Sequence, residues 1–414
     1  MHSDISGFHS KSPSERLSYL KSLINLSDDE ISCIRSGGLS IEEANAMREN
    51  VIGLYSLPLS IATNFRINGK DYLIPMAGEE PSVVAAASKA AKMAREFGGF
   101  TASSSDPVMI GQVQVVDPIP DADTKINSSK QALLGHIDGI IPSMKERGGG
   151  ARDIWARTFS TNGKSHTIVY FSVDVRDAMG ANTINKVAES LAPIIVEMIG
   201  GKARLRILSN LCIKRVSRAK AYLTSDLELA KGILDAQALA ENDILRAVTH
   251  NKGIMNGISA LALATGNDTR AVEAGAHAYA AYNSSYHPLT KYYIEDGKLA
   301  GEIELPLSLG IVGSGTNHRA ARICIDRILQ VKSAPELCSV AAAVGLAQNF
   351  AALRALTQEG INKGHMRLHS KTLALMAGAT PSEAAQIYEL FKDRESEISM
   401  SAVRKALEEL RSHQ

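Results

Sequence analysis

The residues best suited to chemistry fall in a few short stretches of the chain. Glu79-Glu80-Pro81-Ser82 sets two carboxylates at the start of an apolar run. Acids at a helix start complement the macrodipole, which is the plain structural explanation. Buried, with a raised pKa, one of them would instead donate a proton at neutral pH. Thr249-His250-Asn251-Lys252-Gly253-Ile254-Met255-Asn256-Gly257 is a polar knot in apolar surroundings, with Arg246 just upstream. A lone lysine is usually a solvated surface charge. One flanked by Asn, Gly and Met can polarise a carbonyl as an oxyanion partner. Gly266-Asn267-Asp268-Thr269-Arg270 supplies an acid that would equally serve as the N-cap of the Ala-rich helix after it. Gly364-His365-Met366 comes just after a long helical stretch, and isolated histidines are mostly structural or exposed. His369 lies at i+4 from His365, but no third ligand accompanies the pair, so no zinc or other metal is expected.

No G-x-G-x-x-G follows a strand pattern, which leaves a Rossmann site unsupported. The cofactor candidate is Asp177-Ala178-Met179-Gly180-Ala181-Asn182, between a strand and a helix. Gly180 permits a tight turn with close backbone approach. The free N–H groups of the following helix start can receive a diphosphate. An ordinary strand–turn–helix with an Asp or Asn cap has the same appearance.

The elements that must carry these groups are marked by their ends. Ser12-Pro13-Ser14-Glu15 and Ser40-Ile41-Glu42-Glu43 are capping boxes that open helices. A third, Ala-rich helix runs from about Pro81 to Phe97 and stops at Gly98-Gly99. In the middle, Val108–Val116 reads as a strand, Ser128–Arg147 as a helix, and Asp153–Phe159 and His166–Val175 as strands. Ala181–Ile199 reads as a helix and Ala203–Ser209 as a strand. The order β-α-β-β-α-β is the ferredoxin-like pattern and predicts a separate domain over about 107–210. The next half of the chain is mainly helical, with Asp268–Tyr282 and Ala334–Glu359 the strongest helices. Residues 361–414 read as a small unit with a helix near Lys371–Met376, a capping box at Thr380-Pro381-Ser382-Glu383 and a last helix at Ser401–Ser412. The fold class is therefore α+β, built from a large, mainly helical part, an inserted smaller domain and a small helical C-terminal unit.

At 414 residues the chain calls for two or three domains. The 45 Lys+Arg balance 44 Asp+Glu, so no basic excess points to nucleic acid or an anionic membrane. Apolar runs such as Ser339–Ala347 are interrupted or too short to span a bilayer, and the polar start lacks a signal-peptide pattern. Cys33, Cys212, Cys324 and Cys338 are far apart and read as reduced, buried thiols of a cytoplasmic protein.

Taken in order, Glu49-Asn50-Val51-Ile52-Gly53, Glu80-Pro81-Ser82, Asp177 to Asn182, His250 to Asn256, Gly266-Asn267-Asp268 and Gly364-His365-Met366 resemble class II 3-hydroxy-3-methylglutaryl-CoA (HMG-CoA) reductase over nearly the whole chain. The resemblance implies a substrate-binding and dimerisation domain at 1–106 and 211–360, interrupted by a cofactor domain at 107–210, with a C-terminal flap at 361–414. It implies reduction of HMG-CoA to mevalonate and coenzyme A with NAD or NADP, in a homodimer or higher homo-oligomer whose active sites lie at the subunit boundary near Glu49–Gly53. By motif match, Lys252 would stabilise the oxyanion, Glu80 would donate the proton, and Asp268 would hydrogen-bond both. His365 would protonate the departing thiolate. Arg246 would pair with the substrate carboxylate, with Ser82, Asn256 and Asn210 as further substrate contacts. Asp177, Met179, Gly180 and Asn182 would line the nicotinamide and diphosphate site.

Two stretches depart from the family pattern. No acid for the ribose hydroxyls is evident in Ile141-Pro142-Ser143-Met144-Lys145-Glu146-Arg147, where Lys145 or Arg147 could meet a 2′-phosphate. Ser314 stands where a glycine is common. Competing readings are an enzyme that mainly oxidises mevalonate and a non-catalytic dimeric scaffold; the joint presence of Glu80, Lys252, Asp268 and His365 argues against the scaffold.

Overall fold

The structure, a computed structural model, describes residues 2–313, 315–358, 370–391, 394 and 397–412. Helices α1 (Pro13–Ile24), α2 (Asp28–Ser36) and α3 (Ile41–Met47) each open on a Ser-x-x-Glu capping box. The box of α2, Ser27 with Glu30, joins the two read from sequence. An antiparallel hairpin comes next, β1 (Leu59–Ile67) and β2 (Lys70–Ala77). Its turn residues Asn68 and Gly69 both have positive φ, as a two-residue hairpin loop of this hand requires.

Helix α4 (Val83–Glu96) begins two residues later than expected. Ser82 is left-handed at φ 73° and acts as the boundary without a side-chain cap. A second sheet has the order β3 (Thr101–Ser104), β8 (Val216–Thr224), β10 (Lys298–Pro306), β9 (Thr290–Glu295), all antiparallel. The sequence reading finds no strand in these segments or at β1 and β2. The large part is mainly helical as expected, but it also carries two sheets that the sequence reading does not find. β3 and β9 are short, and the inward positions of β8 include the small residues Ala219 and Ala221, so the apolar signal is weak.

The third sheet has the order β5 (Gly150–Thr161), β6 (Lys164–Asp174), β4 (Val108–Val116), β7 (Lys202–Ser209), again antiparallel throughout. It packs on α5 (Ala122–Ser128), α6 (Lys130–Ile140), α7 (Pro142–Glu146) and α8 (Ala181–Ile199). The single helix expected at 128–147 is two pieces, α6 and α7, preceded by the separate α5, because Pro142 cannot continue α6 and instead occupies the first turn of α7. Residues between 109 and 212 close their own apolar core around Met109, Phe171, Ile184 and Leu191.

The main core is built on α4, α9 (Leu227–Asn242), α10 (Ile244–Ala264), α11 (Thr269–Ala280) and α13 (Ala334–Gln358), while α12 (Arg319–Ile323) contributes Ile323 to a smaller cluster with residues of α1 and α2. Helix α13 packs against α4, α9, α10, β3, β8 and β10. Among the described residues it is the one helix long and apolar enough to cross a membrane, but 89% of that stretch is buried inside the protein. Its all-round apolarity is that of a central core helix. Near the C-terminus, residues 370–376 and helices Pro381–Leu390 and Met400–Ser412 share a separate cluster that includes Leu373, Ile387 and Val403. The four cysteines are free and buried.

Candidate active site

Glu80 sits in the loop between β2 and α4, and Lys252 and Asn256 project from one face of α10, four residues apart. The loop and the helix meet. Lys252 Nζ lies 2.7 Å from Glu80 Oε2, and Asn256 Nδ2 donates to Glu80 Oε1 at 3.1 Å. Both ionic side chains are open to solvent, at 58% and 37%. The buried carboxylate that the sequence reading requires of Glu79 or Glu80 is therefore not present in the single chain, because Glu80 is held at the mouth of the cleft by the ammonium. A cavity of about 1400 Å³ opens beside it, lined by Glu80, Ser82, Asn256 and Ser259 on one side and Phe8 and Arg16 on the other. The left-handed conformation of Ser82 is strained for a residue with a Cβ, and such strain concentrates at functional sites.

Asp268 caps α11, accepting from the N–H groups of Arg270 and Ala271 and pairing with the Arg270 side chain. Burial opposes its charge, but Arg270 and these N–H groups together hold the carboxyl below its usual range. The structure joins Asp268 to Arg270 and not, by a hydrogen bond, to Lys252 or Glu80. Burial also opposes the charge of Glu273, one turn on, but hydrogen bonds from His277 and Ser259, with a smaller contribution from the Lys252 charge, hold its carboxyl below the usual range. The expectation that Asp268 bonds both Lys252 and Glu80 is not met in this arrangement, since the cap geometry commits its oxygens to the helix start.

Arg246 lies six residues before Lys252 on α10, which places it about 120° around the helix from the Lys252 face. Its guanidinium is partly buried, burial lowers its pKa, and no carboxylate pairs with it among the described residues. His250 is buried against Thr290 Oγ1 at 2.6 Å. Burial and the Arg246 charge push its pKa down to about 3, so it is a neutral core histidine. Asn210 is exposed, with its backbone against α11, where Gly275 has no Cβ to obstruct it.

The cofactor candidate forms the turn between β6 and α8. Gly180 is left-handed at φ 107°, and a Cβ there would meet Met109 and Val175 at 2.9 Å. No side chain caps α8, so its first-turn N–H groups are available to an anion. Asp177 is tied to the neighbouring chain: its Oδ1 accepts from Ala334 N at 2.8 Å and its carbonyl from Ile311 N at 2.8 Å. Met179 is half-buried and Asn182 exposed. Nearby, Lys145 pairs with Asp138 at 2.8 Å, and Asp138 also accepts from Ala151 N beside the glycine run. Asp138 is an acid next to the glycine run that the sequence reading does not single out. His365 and Ser314 lie outside the described residues.

The site thus brings together an ammonium beside a carboxylate at the mouth of a cleft and, at another turn, a helix start with no side-chain cap. The profile of the hydroxymethylglutaryl-coenzyme A reductase family matches residues 12–370. A 3-hydroxy-3-methylglutaryl-coenzyme A reductase of Archaeoglobus fulgidus is 50% identical, across 100% of this chain and 96% of that protein. A probable enzyme of the same name from Borreliella burgdorferi is 39% identical over 80% of this chain and 78% of its own length. The structure of the class II reductase from Streptococcus pneumoniae bound to NADPH in open conformations superposes with a TM-score of 0.80. It is 38% identical, and the match covers 97% of this chain and 100% of that one. The chain belongs to the hydroxymethylglutaryl-coenzyme A reductase family, class II, and is an NAD(P)-dependent oxidoreductase.

Proposed function

We propose that the Glu80–Lys252–Asn256 cluster is where this chain carries out its family's reaction, the four-electron reduction of (S)-HMG-CoA to (R)-mevalonate and CoA with two NAD(P)H. The carrying observation is the 2.7 Å Lys252–Glu80 pair with Asn256 on the second carboxylate oxygen. NAD(P)H supplies two hydrides to the carbonyl carbon. Each delivery leaves an oxyanion that needs positive charge and a proton. Lys252 supplies the charge on the thioester and then on the aldehyde. Glu80, shielded from water once substrate and flap close over it, supplies the proton to the final alkoxide. When the C–S bond breaks, His365 protonates the thiolate. Asp268, once released from Arg270, sets the charge on Lys252 and Glu80.

Ser82, Asn256 and Asn210 contact the substrate, and the cavity beside Glu80 accommodates an elongated acyl-CoA. Asp177, Met179, Gly180 and Asn182 form the cofactor turn, in which Asp177 acts as a brace. Arg246 binds the substrate carboxylate. Its unpaired guanidinium and its position away from the Lys252 face fit a site completed by a second subunit. Ile52, Tyr55, Leu245 and Val248 are exposed apolar residues, which supports a homodimer. In this reading 107–210 is an inserted ferredoxin-like cofactor domain, 1–106 with 211–360 the substrate domain and 361–414 the flap, in a cytoplasmic protein.

The test monitors NADH and NADPH oxidation by absorbance on adding HMG-CoA to the purified protein. Substrate-dependent oxidation is expected with at least one cofactor. Silence with both, in a folded protein that also fails to oxidise mevalonate with CoA, would overturn the assignment.

A further inference from the structure

Arg215, at the entry to β8, is 1% exposed and has the largest side chain among the fully buried residues described. A charge removed from water costs several kcal/mol unless its donors are satisfied. No carboxylate pairs with it among the described residues. Its Nη1 donates to the carbonyls of Ala178 at 3.3 Å and Met179 at 3.1 Å, and its Nη2 donates to the carbonyl of Leu309. One planar fork thus holds two segments of backbone more than a hundred residues apart in sequence. Only a guanidinium presents several donors in so fixed a geometry.

The same seam is tied elsewhere. Ile311 N donates to Asp177 O at 2.8 Å, and Ala334 N to Asp177 Oδ1 at 2.8 Å. At Gly310 the backbones approach so closely that a Cβ would lie 2.4 Å from Met179 N. Gly310 is itself clamped by Asn267, donating to its Oδ1 at 2.7 Å and accepting from its Nδ2 at 3.1 Å. Asn267 is 8% exposed and precedes Asp268. Buried hydrogen bonds therefore run from the cofactor turn, through residues 309–311, to the corner that carries a candidate catalytic acid.

We infer that Arg215 is a positioning residue: its guanidinium sets the 177–182 turn in register with the substrate half, so that the bound nicotinamide faces the carbonyl. This rests on the reading of 177–182 as the cofactor turn. The fork also keeps a positive charge behind the turn, on the side away from solvent, where it favours a bound diphosphate. Displacement of a reacting group by 1 Å costs on the order of 10²-fold in rate.

The experiment compares Arg215→Lys and Arg215→Gln with the unaltered protein, with Asn182→Ala run in parallel. Each variant is characterised by its KM for both substrates, its kcat and the Kd for NADPH. Both Arg215 variants are expected to lower kcat by on the order of 10²-fold and to raise cofactor KM and Kd, with the KM for HMG-CoA unchanged. Lysine does not rescue, because one ammonium cannot span both segments. A folded variant with unaltered kcat and cofactor constants, or one that raises the KM for HMG-CoA in step with a lower melting temperature, overturns the proposal and leaves Arg215 a structural residue. Asn182→Ala reports on the underlying reading: unchanged cofactor binding there means the turn is not the cofactor site. Should both Arg215 variants fail to fold, amide exchange in the unaltered protein decides. Slow exchange at Ala178, Gly310 and Ile311, whose N–H groups are bonded within the seam, without NADPH supports a turn set in advance, whereas fast exchange there suppressed only by NADPH overturns it.

Discussion

Around Asp177–Asn182, the carbonyls of Asp177, Ala178 and Met179 and the Asp177 carboxylate accept from Ile311, Arg215 and Ala334 in a part-buried seam. Around Glu80 and Lys252, two charged side chains face each other across an open cleft with only Asn256 in support. The cofactor half has a fixed turn and needs only its ligand. At the Glu80 cleft, Glu80 and Lys252 pair with each other, Arg246 has no carboxylate partner among the described residues, and Asp268 is turned toward Arg270. A reductase that carries an aldehyde between two hydride deliveries benefits from this division, since the cofactor must be exchanged onto a constant platform while the substrate side closes and opens.

The sharpest way to break the comparison is Lys252→Ala. An exposed pair contributes about 0–1 kcal/mol to stability, so the melting temperature should barely move. Both reductive steps should fall by on the order of 10²–10³-fold or more. Appreciable thioester turnover by this variant would remove Lys252 from the oxyanion role. Next comes His365→Ala, expected to lower reduction of the thioester by about 10²-fold while sparing free mevaldehyde, which expels no thiolate. Equal losses on the two substrates would contradict the assignment.

Asp268→Asn is a smaller and more discriminating change. Asparagine caps a helix as well as aspartate does, so stability should hold. If the carboxylate swings to Lys252 during turnover, activity should drop by roughly tenfold or more. Arg270→Ala, which frees the carboxylate, should not lower activity. Unchanged turnover in Asp268→Asn would leave Asp268 a cap alone.

The smallest effects are in acid stability. His250 titrates near 6.5 when unfolded and about 3 when folded. Its contribution is in place above pH 6.5 and is lost as pH falls toward 3. Glu383, hydrogen-bonded to Arg411 and the Thr380 N–H, is held at about 2 against an ordinary 4.5, so its contribution survives to lower pH and is lost between those values. Acid unfolding monitored by amide exchange should therefore loosen α10 before helix Pro381–Leu390, and His250→Gln should flatten the upper window. The reverse order would contradict the burial of a neutral His250.

Much of the site was legible because its groups travel in compact motifs. Lys252 and Asn256 share a helical face, and Gly180 marks a turn whatever surrounds it. The pairing of Glu80 with Lys252 spans 172 residues, and no local pattern encodes it. Arg215 was invisible for a different reason. An arginine in sequence reads as surface charge, and nothing adjacent to it indicates that three carbonyls converge there. Some strands were missed despite a usable signal: Asn68-Gly69 and Asp296-Gly297 have the paired positive φ of tight hairpins, as Asn162-Gly163 does between strands that were read correctly. The β1–β2 hairpin lies next to the Ala-rich helix, whose periodicity is far stronger than the alternation in the strands.

Helix α13 has a consequence for how the chain is made. It covers faces of α4, α10 and β8 that leave the ribosome long before residues 334–358 do. Residues 108–209 contain a complete sheet with its helices and can close their core as soon as they emerge. The flanking part cannot, because its partners are distant in sequence and the central helix arrives nearly last. A nascent chain halted before residue 334 therefore displays a finished small sheet beside an open apolar trough, and the trough is the part that chaperones must cover until translation ends.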